Sequence, residues 1–115
     1  MAGRLTTHVL DTSAGRPARD LALTLTRLSD GKILGEFRTN ADGRVDGPLL
    51  ADEAFRPGQY ELTFNVGDYF RSCGVAVPDP AFLETVPIRF GLSEDGHYHV
   101  PLLVSPYGYS TYRGS

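Results

Sequence analysis

The sequence predicts an all-β protein, an antiparallel sandwich with one short helix. Three observations predict it. Apolar residues recur at every second position through most of the chain, turn signals interrupt that alternation at regular intervals, and one segment breaks the period. Side chains alternate between the two faces of a strand, so a period of two with one apolar face marks a half-buried sheet. At 115 residues the chain fits a single domain, residues 1–115. A chain of this size buries roughly two-thirds of its unfolded surface, enough for a core without disulfides.

The elements follow in order. In Arg4–Asp11, Leu5, Thr7 and Val9 share one face while Thr6 and His8 share the other. In Leu21–Leu28, three leucines alternate with Ala22, Thr24 and Thr26, and the Ser29-Asp30-Gly31 turn leads into Lys32–Arg38. Asp42-Gly43 signals a second turn, with Arg44 just after it. Pro57-Gly58 turns the chain into Gln59–Val66, whose apolar face is Tyr60, Leu62, Phe64 and Val66. Gly67–Gly74 departs from the period and predicts the short helix, with Tyr69 and Phe70 packed beneath it and Cys73 as a partly buried thiol. Glu84–Leu92, His97–Ser105 and Tyr107–Arg113 complete seven strands. Pro87 and Pro101 fall inside strand patterns and predict edge positions or bulges, because proline cannot donate to a ladder.

Composition narrows the function. The formal net charge is −3 and no basic stripe is present, which argues against nucleic acid and anionic membranes as partners. Cys73 is the single cysteine, so an internal disulfide and a cysteine zinc cluster are both excluded within one chain. No apolar run reaches the length of a membrane span. Met1-Ala2-Gly3-Arg4-Leu5 lacks the apolar region of a signal peptide, and Arg113-Gly114-Ser115 is not an SKL-type signal, so a cytoplasmic location is expected. Phosphate-loop and nucleophile-elbow patterns are absent.

The candidate chemistry lies in three histidines, one arginine and the tail. His97 and His99 sit two apart and share a face, while Tyr98, Val100 and Leu102 take the core face. His8 lies opposite Leu5 and Val9, so all three imidazoles fall on non-core faces. Solvated surface residues satisfy that pattern. A zinc site of His8, His97 and His99 with an open position is a second reading. A metal-free site is a third. In it, neutral imidazole is the base toward water and Arg44, projected from its turn, binds an anion or a developing oxyanion. The tail carries Tyr107, Tyr109 and Tyr112, and ends Arg113-Gly114-Ser115. It is too aromatic for a disordered end, and docking it delivers a phenol, a guanidinium, a hydroxyl and a carboxylate to one place.

Four segments together carry a resemblance. They are Leu5-Thr6-Thr7-His8-Val9-Leu10-Asp11, Asn40-Ala41-Asp42-Gly43-Arg44-Val45-Asp46, His97-Tyr98-His99-Val100-Pro101-Leu102-Leu103, and the run from Ser105 through Tyr112-Arg113-Gly114-Ser115. The chain resembles the 5-hydroxyisourate hydrolase family, the transthyretin-like proteins of purine breakdown. The C-terminal Tyr-Arg-Gly-Ser is the most specific segment, since it separates these hydrolases from true transthyretins. The resemblance implies a transthyretin-like sandwich of seven or eight strands, assembled as a homotetramer, a dimer of dimers with the site at a subunit interface. It implies hydrolysis of 5-hydroxyisourate with no metal or organic cofactor. It assigns His8, Arg44 and His99 to catalysis, and His8, Arg44, Tyr112, Arg113, Gly114 and Ser115 to substrate binding. His97 shares their face and ranks below His99. A transthyretin-type carrier of small aromatics is the competing expectation, although His8, Arg44, His99 and Arg113 suit a small polar anion better.

Overall fold

Two sheets pack face to face in the computed structural model of the chain, which describes residues 3–114. Its strands are β1 (Arg4–Asp11), β2 (Arg16–Pro17), β3 (Ala22–Arg27), β4 (Lys32–Arg38), β5 (Leu50–Ala51), β6 (Gly58–Phe64), β7 (Val86–Leu92), β8 (His97–Ser105) and β9 (Gly108–Thr111). The helix α1 spans Val66–Ser72, between β6 and β7. One sheet runs β2-β1-β8-β9, with β5 paired to the start of β1; the other runs β4-β3-β6-β7. The seven expected strands are present. The two additions, β2 and β5, are two residues each and too short to show a period.

One expectation needs correction. The sandwich is not wholly antiparallel, because β1 and β8 run parallel from Arg4 opposite His97 to Asp11 opposite Val104. Alternation specifies which side chains face the core, but says nothing of strand direction. A parallel pair needs a long crossover, and here the entire second sheet and α1 supply it.

The core forms where the two apolar faces meet. Leu5 and Val9 of β1, Leu23 and Leu25 of β3, Leu62 and Phe64 of β6, and Leu102 and Val104 of β8 are all buried. Thr7 sits among them because its hydroxyl donates to the Val100 carbonyl at 2.7 Å, which satisfies the polar group. Asp11 is also buried, and its carboxylate accepts from the Ser13 hydroxyl at 2.6 Å and the Tyr69 hydroxyl at 2.8 Å. Burial, together with that carboxylate, pushes the Tyr69 phenol up. Helix α1 turns Tyr69 and Phe70 inward as expected, but Cys73 is exposed rather than partly buried, since the chain leaves the helix at that residue. On the helix's outer side, Arg71 holds Glu84 with two hydrogen bonds, Nη1 to Oε2 at 2.9 Å and Nη2 to Oε1 at 2.6 Å. That pairing draws the Glu84 carboxyl down to about 2.

The prolines divide. Pro87 lies in β7, the edge strand of its sheet, as its chemistry requires. Pro101 does not lie at an edge, because β8 is flanked by β1 and β9. The β8–β9 ladder ends at Leu102 opposite Thr111, and the same register resumes as an isolated bridge between His99 and Gly114. Pro101 falls opposite Tyr112 in the gap. It has no N–H to give there, and the Thr111 hydroxyl takes its carbonyl at 2.7 Å. The tail therefore stays docked along β8 past the end of the regular ladder.

Candidate active site

The site lies on the outer face of the β2-β1-β8-β9 sheet, and its register assembles it. Thr6 stands opposite His99, Arg4 opposite His97, and His8 opposite Pro101. On the other side of β1, Arg44 pairs with His8 through an isolated bridge; on the other side of β8, Gly114 pairs with His99. A cavity of about 400 Å³ opens on this face, lined by Arg4, Thr6, Arg44, Val45, His97 and His99 among others. Among the described residues, no carboxylate lines it. The arrangement presents cations and hydrogen-bond donors, which suits a small anionic ligand.

The turn that carries Arg44 is held locally. The Asn40 side-chain oxygen accepts from the Asp42 and Arg44 backbone N–H groups at 2.9 and 3.1 Å, an Asx-type turn. The Val9 N–H donates to the Gly43 carbonyl at 2.8 Å and ties the turn to β1. Gly43 has φ +75, and a Cβ there would collide with the Val9 carbonyl oxygen. Gly43→Ala is therefore expected to destabilise the fold by more than about 1–2 kcal/mol, the strain of a left-handed non-glycine residue, and to lower activity by displacing Arg44. Denaturant unfolding beside a turnover assay measures both effects.

Each histidine is fixed differently. His8 Nε2 lies 2.7 Å from the Asp42 carbonyl. A carbonyl only accepts, so Nε2 carries the proton and Nδ1 holds the lone pair in the neutral ring. His99 Nδ1 is 2.8 Å from the Thr6 hydroxyl, and His97 Nε2 is 2.7 Å from that same hydroxyl. Burial first, then the charges of Arg44, His97 and His8, pull the His99 pKa below its ordinary value. His99 is thus held toward the neutral imidazole, with Nε2 as the nitrogen that Thr6 does not occupy. Among the described residues, no group of three His, Cys, Asp or Glu side chains is disposed to hold a metal ion, so the zinc arrangement of His8, His97 and His99 does not form.

The expected tail residues separate. The Gly114 N–H donates to the His99 carbonyl at 2.7 Å, and a Cβ on Gly114 would lie 2.6 Å from His99 Cδ2. Glycine is needed there for close approach to the imidazole. Arg113 turns away from this cavity. Its guanidinium carbon sits 4.0 Å from the centroid of the Tyr98 ring. Hydrogen bonds from Ser93, with the Arg113 charge, hold the Tyr98 phenol below its ordinary value. Arg113 and Tyr112 line a second groove of about 320 Å³ between the tail and β7, and Tyr112 is 59% exposed. The expectation for Ser115 lies outside the described residues. Sequence reasoning missed Thr6 and Arg4. Thr6 shares a face with His8, but only the β1–β8 register reveals that it meets both later histidines.

A two-sheet sandwich with a histidine- and arginine-lined cavity on one outer face defines a class of small β-sandwich proteins with a polar, cationic surface site. Comparison with known proteins identifies the family: the chain belongs to the HIUase/Transthyretin family, whose model matches residues 5–114. It is 63% identical over 117 residues to 5-hydroxyisourate hydrolase 2 of Rhizobium meliloti, covering 99% of this chain and 98% of the relative. It superposes on the crystal structure of (S)-allantoin synthase with TM-score 0.93 at 51% identity, covering 98% of this chain but 44% of that longer one. Sea bream transthyretin in complex with thyroxine matches with TM-score 0.85 at 28% identity, over 96% of this chain and 94% of that one.

Proposed function

We propose that the chain is a hydrolase that opens the six-membered ring of 5-hydroxyisourate with water. The product is 2-oxo-4-hydroxy-4-carboxy-5-ureidoimidazoline, in urate breakdown toward allantoin. The observation that carries this reading is the near-full-length identity of 63% to a 5-hydroxyisourate hydrolase, against 28% to a thyroxine-binding transthyretin. The cavity supports it, since its lining of Arg4, Arg44, His97 and His99 suits a small polar anion rather than a large apolar one.

In this reading His99 Nε2 takes a proton from water as the water oxygen bonds the ring carbonyl carbon. Arg44 holds the substrate's anionic oxygen and the tetrahedral oxyanion. His8, anchored to Asp42, positions substrate beside them. The ring C–N bond then breaks and its nitrogen receives a proton. Gly114 gives the tail its close seat against His99, and the exposed Tyr112 ring is the tail side chain free to complete the wall in the assembled protein. We infer a dimer of dimers with the site at a subunit interface. Its support is the pair of open edge strands β7 and β9, with Tyr107, Tyr109 and Tyr112 exposed beside them. A cytoplasmic location suits the free, exposed Cys73 thiol.

The test follows the ultraviolet decay of freshly prepared 5-hydroxyisourate with the full chain and with a variant lacking Tyr112–Ser115. The full chain is expected to accelerate decay after exhaustive chelation as well as before, and the truncated one to lose most of the acceleration. Tight binding of iodinated aromatics without any turnover would favour a carrier instead. Equal rates for the two chains would remove the tail from the site.

A further inference from the structure

We propose that Thr6 is a positioning residue whose hydroxyl joins His97 and His99 into one proton-transfer unit, in which His97 stores the proton between the two halves of the reaction. The proposal rests on the reading of His99 as the base. Its ground is geometric. One oxygen, Thr6 Oγ1, lies 2.7 Å from His97 Nε2 and 2.8 Å from His99 Nδ1. A hydroxyl has one proton, so it donates to one ring and accepts from the other. The two rings are therefore held in complementary states. The β1–β8 ladder fixes this contact, because it sets Thr6 directly opposite His99 with His97 two residues away on the same face.

The surroundings give the link a purpose. His99 is half-buried and faces Arg44, His97 and His8, with Arg4 on the same cavity wall, so a proton retained on it is costly. His97 is exposed to solvent, where a charge is cheaply hydrated. In the resting state His99 carries its proton on Nδ1 and donates it to Thr6, while the Thr6 hydroxyl donates to His97 Nε2. When His99 Nε2 takes the water proton, the Nδ1 proton passes to Thr6 Oγ1 and the Thr6 proton passes to His97 Nε2. His97 becomes imidazolium, and His99 is neutral with its proton on Nε2. That Nε2–H then protonates the leaving nitrogen as the C–N bond breaks. In the same step the His97 Nε2 proton returns through Thr6 to His99 Nδ1, so His99 never passes through an imidazolate and the resting state is restored. One imidazole thereby serves as base and then as acid, with no net proton gained or lost by the protein.

Two variants and two readouts test this. Thr6→Val keeps the shape and removes the hydroxyl. It is expected to lower kcat on the order of 10–10²-fold with KM changed less than about threefold, and Thr6→Ser to recover most of the loss. His97→Gln, at an exposed position, is expected to show the same kcat loss, and the Thr6→Val/His97→Gln pair to be no slower than either alone. The second readout needs no substrate. Nitrogen-15 spectra of the neutral imidazoles in the free protein are expected to show one defined tautomer for each ring, with the proton on Nδ1 of both His99 and His97, and Thr6→Val to give mixed tautomers at both rings. Ring-nitrogen spectra unchanged in folded Thr6→Val, or a wild-type kcat and pH profile in His97→Gln, would overturn the relay. A wild-type protein that shows the two defined tautomers yet opens no 5-hydroxyisourate overturns the functional reading instead.

Discussion

Replacing His99 by asparagine is expected to slow ring opening by about 10²–10⁴-fold, the contribution of a well-placed general base. The substitution isolates the chemistry from the packing. The asparagine side chain can still hydrogen-bond the Thr6 hydroxyl, and the backbone bond from Gly114 to the residue 99 carbonyl does not involve the ring. What is lost is the imidazole's capacity to take water's proton and to pass a proton on. Steady-state decay of 5-hydroxyisourate, with a thermal melt to verify folding, measures it; full activity in this variant would remove His99 from the mechanism. The direction of the His99 shift adds a pH dependence. Its folded pKa is depressed, so the unfolded chain binds the proton first as pH falls. The site's contribution to stability is then intact above the ordinary histidine range and declines below it. Activity has the same sign: the neutral base persists to lower pH than an unperturbed histidine allows, which places the acid limb of kcat/KM below about pH 6.5.

What the sequence makes legible follows from what alternation encodes. A period of two assigns faces, so it correctly sends Tyr98, Val100 and Leu102 inward and His8, His97 and His99 outward. The Asp42-Gly43 turn is equally local and marks Arg44 as turn-borne, but that the turn lies beside β1 is visible only in the structure. Alternation is silent on direction and register between strands distant in sequence. The parallel run of β1 against β8 was therefore hidden, and with it the meeting of Thr6 with two imidazoles. Arg113 shows the cost of reading a tail without its register. The β9 register sets residue 113 opposite Val100, which faces the core, and cross-strand neighbours share a face. Its guanidinium accordingly stacks on Tyr98 rather than joining His99. Pro101 teaches the same lesson. Proline excludes a ladder bond, but that bond can be missing in the middle of a sheet when the partner strand breaks, as β9 does after Thr111.

Arg44→Ala is expected to reduce kcat/KM by about 10²–10³-fold, the loss of one donor to a developing oxyanion, with a rise in KM from the lost anion contact. The fold is expected to survive, since the turn is secured by backbone groups of residue 44. Its N–H donates to Asn40 Oδ1 and its carbonyl accepts from the Asn40 N–H at 2.6 Å. Arg44→Lys is expected to recover only part of the loss, because an ammonium replaces the charge but not the planar fork that engages two oxygens at once. The same variants report on His99. The Arg44 cation disfavours a charged imidazole and is the largest of the neighbouring charges that depress its pKa. Removing it must raise that pKa toward the ordinary value, so the acid limb of kcat/KM moves to higher pH in Arg44→Ala and stays nearly in place in Arg44→Lys. Titration of the His99 ring by nitrogen-15 resonance checks the shift without substrate. An Arg44→Ala protein with activity within threefold of wild type and an unmoved His99 titration would separate Arg44 from both the oxyanion and the base.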